Sequence, residues 1–404
     1  MDPIVVAVFL LVYVGMIVGE IPKLRIDRTG FALLGAIVLV AAGRMTTQAA
    51  WAAIDVPTMA LLFGLMVMSA QFRLSGFYAA LTRRMGATDH TPSGLLALVI
   101  LAAGALSAIL ANDIVCLATA PIVVEICTAR RLDPVPFLLA LACASNVGSA
   151  GTLIGNPQNM LIGQVLGLSF ARYLLDGGVP ALAGLGVVWL VVAGLYRDRW
   201  RRDGEPVVAD APSFDRWQTM KGAIVTGAVM LLFLLSPWPR EVVALAGAGV
   251  LLVSRRTASR ALIGLVDWPL LLLFIGLFVV NAAIAQSGLV SGLLMTARRA
   301  GADLTQPAAL FGAAAVLSNI VSNVPAVMLL LPAARHDLAG PILALASTLA
   351  GNLLLVGSIA NIIVIDQARR LGVRIDAGTH ARIGVPVGVA TLAIAALWLS
   401  IRSL

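Results

Sequence analysis

One pattern limits what this chain can fold into: apolar runs close to the length of a bilayer span follow one another, with only short charged loops between them. They lie near residues 4–19, 30–43, 57–72, 137–160, 179–196, 220–236, 241–254, 266–284, 342–364 and 383–401. A helix needs roughly 20 residues to cross a bilayer, so flanking residues must complete the shorter runs. Hydrocarbon offers no partner to a backbone N–H or C=O, and a chain of this kind satisfies both by forming helices. Composition agrees: 60% of the 404 residues are hydrophobic and 12% charged, outside the range of a soluble domain. The expected fold is an all-α polytopic membrane protein, multi-pass in a cell (inner) membrane, with the lipid bilayer as its solvent. The run Ile4 to Val18 has no basic flank before it and no small-residue cleavage site after it, and reads as a retained span rather than a signal peptide.

Two further apolar stretches, 93–128 and 307–334, are too long for one span and are interrupted by Asn112-Asp113 and by Ser322-Asn323-Val324-Pro325. Both read as re-entrant hairpins, because broken backbone at membrane depth must face protein or a watery cavity. Each hairpin returns to the side it left, so the ten spans alone decide which loops share a side. With the N-terminus outside, 21 of the 28 Lys and Arg fall on one face, among them Lys23, Arg25, Arg73, Arg130, Arg201, Arg202 and Arg370, and seven on the other. That asymmetry in short loops makes the richer face cytoplasmic. The polar segment Arg197 to Lys221 is then a cytoplasmic linker. The net charge of +8 is loop charge of this kind, and no nucleic-acid partner is expected.

The halves on either side of the linker echo each other. Asp55-Val56-Pro57 opens one span and Asp267-Trp268-Pro269 another, 212 positions later. Asn112 stands nine residues before Pro121, as Asn323 does before Pro332. Ala150-Gly151-Thr152-Leu153 leads to Asn159, and Ala350-Gly351-Asn352-Leu353 to Asn361. We expect two repeats, 1–196 and 220–404, joined by the linker 197–219, each with five spans and one hairpin. An odd number of spans inverts the second against the first, so the first hairpin opens to the cytoplasm and the second to the outside. Secondary transporters use this architecture, with the substrate near the midplane where the repeats meet.

Polar residues at midplane depth are costly unless partnered, which makes clusters of them functional candidates. They gather at the hairpin tips, Asn112-Asp113 and Ser318-Asn319 with Ser322-Asn323, and within two spans. The first span holds Ser145, Asn146, Gly148, Thr152, Asn156 and Asn159, and the second Asn352, Ser358 and Asn361. Gly148, Gly151, Gly155 and Pro157 lie within ten residues and favour local unwinding. Unwinding frees amides that attract anions and carbonyls that attract cations. Taken singly, such residues can also be plain interhelical glue. Asp113 is the sharpest candidate, since a lone midplane carboxylate calls for a cation, a proton or a partner. Glu125 reads as a solvated charge at the hairpin mouth. Asp55 and Asp267 read as structural residues at helix N-termini, and Arg298, Arg299 and Arg335 as solvated loop charge. Three scattered histidines and three cysteines without CxxC spacing signal no zinc or redox chemistry. No GxxxxGK[ST] loop signals ATP use, and neither HExxH nor a nucleophile beside a base supports an intramembrane enzyme.

The segments SNVGSAGTLIGNPQN, NDIVCLATAP, SNVPAVMLLLP and AGNLLLVGSIANIIV, in order over nearly the whole chain, resemble the ion transporter superfamily, in the group of citrate transporter-like permeases, arsenite permeases and sodium/proton antiporters. The resemblance implies a scaffold and a transport domain, frequently in a homodimer, with an elevator-like displacement. Divalent-anion symporters of that superfamily carry Ser-Asn-Thr at both tips. Here the tips are Ala111-Asn112-Asp113 and Ser322-Asn323-Val324, so the Asn carries over at both, and an Asn-Asp tip is closer to the arsenite-permease and antiporter branches. The expected activity is secondary active transport of a small inorganic or organic anion, coupled to H⁺ or Na⁺. The alternatives are a sodium/proton antiporter working through Asp113 and an arsenite efflux permease. No cofactor is expected beyond the coupling ion, for which a sodium site of Asn, Ser and carbonyl oxygens stays open.

Overall fold

The computed structural model describes residues 2–19, 26–201, 205–288, 292, 295–296, 298–299 and 303–403; Lys23, Arg25 and Arg202 lie outside the described residues. The described chain is helical. Its first half runs α1 Pro3–Val18, α2 Arg28–Ala41, α3 Thr47–Ala52, α4 Val56–Leu74, α5 Phe77–Gly86, α6 Pro92–Ile109, α7 Asn112–Ala129, α8 Pro134–Ala150, α9 Pro157–Val165 and α10 Phe170–Leu195. The second runs α11 Arg216–Leu235, α12 Arg240–Leu252, α13 Ser259–Ile263, α14 Trp268–Gln286, α15 Pro307–Val321, α16 Asn323–Leu330, α17 Ala339–Ala350, α18 Ile359–Arg370 and α19 Ala377–Arg402. Seven of these helices are long and apolar enough to cross a membrane.

Helix starts follow from the sequence. Asp55, Asp133, Asp267 and Asp376 each place a side-chain oxygen on a first-turn amide, and Pro57, Pro134 and Pro269 occupy early positions where no amide is needed. Asp55 and Asp267 are therefore caps, as expected of them. The two stretches read as hairpins are each a helix pair turning within a residue or two, α6–α7 at Leu110-Ala111 and α15–α16 at Ser322. The α6 and α7 arms have 18 residues each, about 27 Å of rise, longer than a hairpin reaching only the midplane requires. Both arms still end on one side, so the loop charge count is unaffected.

Small residues decide which helices meet. A Cβ added to Gly276 on α14 would stand 2.6 Å from the Ala32 backbone on α2, and one on Gly64 of α4 would stand 2.7 Å from the Ala244 backbone on α12. Gly276 is Gly64 plus 212, and Ala244 is Ala32 plus 212: each half lends a helix to the other through the same pair of positions. Glycine at such points allows the backbones to approach closely. A Gly276→Val protein is expected to lose thermal stability in detergent by roughly 1–3 kcal/mol, because backbone has to move. Gly186→Val, where a Cβ meets nothing within 4 Å, should leave the melting temperature unchanged.

The basic loops collect at one end of the bundle. Leu132 and Arg201 form an antiparallel bridge, the Asp133 amide donates to the Trp200 carbonyl at 2.8 Å, and the Asp215 amide to the Ser75 carbonyl at 2.9 Å. Two charges of the sparse face are paired: Arg44 with Asp2 at 2.8 Å and Arg402 with the buried Asp176 at 3.0 Å.

Candidate functional site

Two spans break where the sequence clusters its polar residues. The chain leaves helix at Gly151 and resumes at Pro157, and again leaves at Gly351 and resumes at Ile359 after a short 3-10 turn, Leu355–Gly357. Unwinding starts three residues later than the glycines suggest, because Gly148 stays helical with another job. Its missing Cβ lets α8 touch α6, where an added methyl would stand 2.2 Å from the Gly104 carbonyl. Asn156 caps α9 by accepting from the Asn159 amide at 2.9 Å, and Ser358 caps α18 by accepting from the Ala360 amide at 3.2 Å.

The breaks are held by one arrangement used twice. The Asn159 amide group donates to the carbonyls of Thr152 (2.9 Å) and Ser149 (3.4 Å). Asn361, 202 positions on, donates to those of Leu354 (3.2 Å) and Gly351 (2.8 Å), which are 202 positions beyond Thr152 and Ser149. Their oxygens then reach across. Asn361 Oδ1 accepts from Asn146 of the first half at 3.2 Å, and Asn159 Oδ1 accepts from Thr348 of the second at 3.4 Å. Asn146 and Thr348 are again 202 apart. Asn146 also donates to Asn352 Oδ1 at 2.9 Å and accepts from Ser358 at 2.8 Å. The centre is closely packed, with Asn146 1% exposed and Asn159, Asn352 and Asn361 fully buried.

The tips flank this centre. The Asn112 amide donates to the Gly155 carbonyl at 3.3 Å, and the Asn112 carbonyl accepts from Ser145, which also bonds Ser107 at 3.0 Å. Asn112 Oδ1 is buried with no partner among the described residues. Asn323, with its amide turned to suit its neighbours, donates to the carbonyls of Gly357 (3.2 Å) and Ser347 (3.1 Å) and accepts from Gln158. Thr152 donates to the Ala108 carbonyl at 2.6 Å, and Asn156 to Ser149 and Thr348. Asn319 donates to the Ala350 carbonyl at 3.0 Å. Ser318 is buried without a partner among the described residues. Ser322 forms the second tip with φ 75 and ψ 162, a region that costs a non-glycine residue about 1–3 kcal/mol.

Asp113 stands apart from the amide network. With Asp267, Leu62, Met66, Pro157, Met160 and Leu270 it lines a cavity of about 20 Å³. Asp267 thus caps α14 through the Leu270 amide at 3.0 Å and also faces the tip, a placement the reading of it as purely structural omits. Glu125 differs from a solvated end charge: both its oxygens bind Arg83 at 2.9 Å and one accepts from the Ala209 amide at 3.0 Å. Arg298 is the exposed charge expected, paired with Asp303 at 3.1 Å.

The sequence reading missed Ser149, Gln158, Ser347, Thr348 and Tyr173, whose hydroxyl accepts from Asn159 at 3.3 Å and donates to the Ala150 carbonyl at 2.8 Å. Aligning the halves on Ala150 and Ala350 uses an offset of 200, whereas the second break is two residues longer and the bonds follow 202. With that register, Thr348 falls on Asn146 and would have been found.

Comparison with known proteins gives a consistent result. The sequence model of the CitMHS family, described as Citrate transporter, matches residues 9–341. A 46 kDa membrane protein of Mycobacterium leprae is 28% identical over 432 residues, covering 100% of this chain and 99% of the relative. The silicon efflux transporter LSI3 of rice, Oryza sativa subsp. japonica, is 29% identical over 427 residues, 87% of each. The crystal structure of the YdaH transporter of Alcanivorax borkumensis superposes with a TM-score of 0.62 at 16% identity, covering 98% of this chain and 96% of that one. The last likeness is one of fold.

Proposed function

The chain belongs to the citrate transporter family, and from that premise we propose that this membrane transporter moves a small anion by secondary active transport, driven by protons. The observation that carries the anion is the meeting of helix N-termini. Helices α7 and α16 start at the hairpin tips and α9 and α18 at the breaks, and the tip residues bond into the break segments. First-turn amides and the dipole behind them favour negative charge. Protons are favoured over sodium because break carbonyls that a cation would use already accept from Asn159 and Asn361, whereas Asp113 sits free of the network beside a second carboxylate. The repeated arrangement fits two inverted repeats whose hairpins and breaks move together against the remaining helices.

A second reading is export of a small uncharged oxoacid. The nominated site residues include no Lys or Arg, and one relative is named a silicon efflux transporter. Uptake into proteoliposomes of citrate, sulfate, arsenite and silicic acid, under imposed pH or sodium gradients, separates the readings. Accumulation of an anion driven by pH supports the first. Movement of only the neutral species, or of sodium against protons, rejects it.

The orientation has its own test. Cys116, Cys127 and Cys143 are buried, so new cysteines can be probed in their presence. In intact cells an impermeant maleimide is expected to label Trp238→Cys, between α11 and α12, and to spare Glu205→Cys in the linker until the membrane is permeabilised. The opposite pattern inverts the proposed topology.

A further inference from the structure

At the basic end of the bundle, five separate parts of the chain line a cavity of about 560 Å³: the junction of α4 and α5, the middle of α7, the linker, Leu265 ahead of α14, and the end of α18. Its polar groups are Arg73, Tyr78, Asp210, Gln367 and Arg370. Arg370 is committed to Asp366 at 2.9 Å. Arg73 is partly buried and forms neither an ion pair nor a side-chain hydrogen bond among the described residues. The Tyr78 hydroxyl is buried, with no partner among the described residues and no surface open to the cavity. An unpaired guanidinium in the wall is costly to keep, and an oxyanion would satisfy it.

The cavity and the tip are joined by one face of α7. Leu117 and Pro121 line it, and with Asp113 they fall at positions i, i+4 and i+8 of α7, on one face of the helix. Pro121 has no N–H to give the Leu117 carbonyl, so this stripe carries a polar backbone group between the cavity and Asp113.

We propose that this cavity is an antechamber that binds the transported anion through Arg73 before it reaches the hairpin tip. The proposal rests on the anion reading above, and its test reads binding without transport. Ala211 lines the cavity and serves as the reporter. In nanodiscs of phosphatidylcholine alone, modification of Ala211→Cys by an impermeant maleimide is measured against citrate, sulfate and phosphate. At least one of these anions is expected to slow modification. Adding Arg73→Gln is expected to raise the half-protecting concentration about tenfold, equivalent to about 1.4 kcal/mol.

Equal protection with and without Arg73 overturns the proposal, as does the absence of protection by all three anions. Protection that appears only when phosphatidylglycerol replaces phosphatidylcholine assigns the cavity to a lipid headgroup and also overturns it. Protection that depends on Arg73 in a protein that accumulates no anion leaves the site standing and rejects the transport reading instead.

Discussion

Asn146→Leu is expected to abolish transport. The substitution keeps the volume and removes the amide that donates to Asn352 and Asn361 and accepts from Ser358. Two acceptors and one hydroxyl are then left buried, each at about 1–3 kcal/mol, in a centre with no room for water to replace them. The loss falls on the only direct side-chain link described between the first break span and the Asn352 and Asn361 positions of the second, so the halves lose their register as well as stability. Uptake into proteoliposomes at matched protein load checks the result, with thermal unfolding in detergent measured alongside. Asn112→Ala separates structure from function: Asn112 Oδ1 has no partner to lose among the described residues, so this variant should express and melt close to the parent while transport falls by more than tenfold. Parental uptake by this variant would return the first tip to the role of interhelical glue.

Asp113→Asn is expected to end accumulation driven by a pH gradient and to preserve part of the downhill exchange. The amide matches the carboxylate in shape within the small cavity shared with Asp267 and removes the exchangeable proton. Asp113 has no hydrogen bond or ion pair among the described residues, so the substitution breaks no bond of the fold. Asp267→Asn is the informative companion. Asparagine caps a helix about as well as aspartate, so α14 is retained while the second carboxylate is gone, and the pH dependence of transport should shift without loss of folded protein. The rate of uptake between pH 5 and 8 under a fixed gradient reads both variants. An Asp113→Asn protein that accumulates substrate like the parent, with the same pH dependence, makes this carboxylate structural and returns the coupling to a sodium site.

Much of this was present in the order of residues. Apolar runs separated by capped starts, such as Asp55-Val56-Pro57 and Asp267-Trp268-Pro269, specify helices because capping and proline placement act within one turn and need no tertiary partner. The breaks near Gly151 and Gly351 were legible for the same reason. Loop charge divided the chain's loops into a basic and a sparse set. All of these are local effects or sums over sequence.

What the sequence left undecided depends on distance in space. No local rule states that Asn146 meets Asn361, that Thr348 answers Asn159, or that Gly64 and Gly276 take the same role against Ala244 and Ala32. Nothing in the neighbourhood of Asp267 reveals that a helix cap faces Asp113, or in that of Glu125 that Arg83 and the linker neutralise it. Arg73 reads as an ordinary loop charge until distant segments of the chain line a cavity beside it. Each of these assignments requires packing to bring together residues tens to hundreds of positions apart, and close-packed interiors admit few alternative arrangements. Sequence set which groups were polar, small or charged, whereas the tertiary structure decided which of them share a partner.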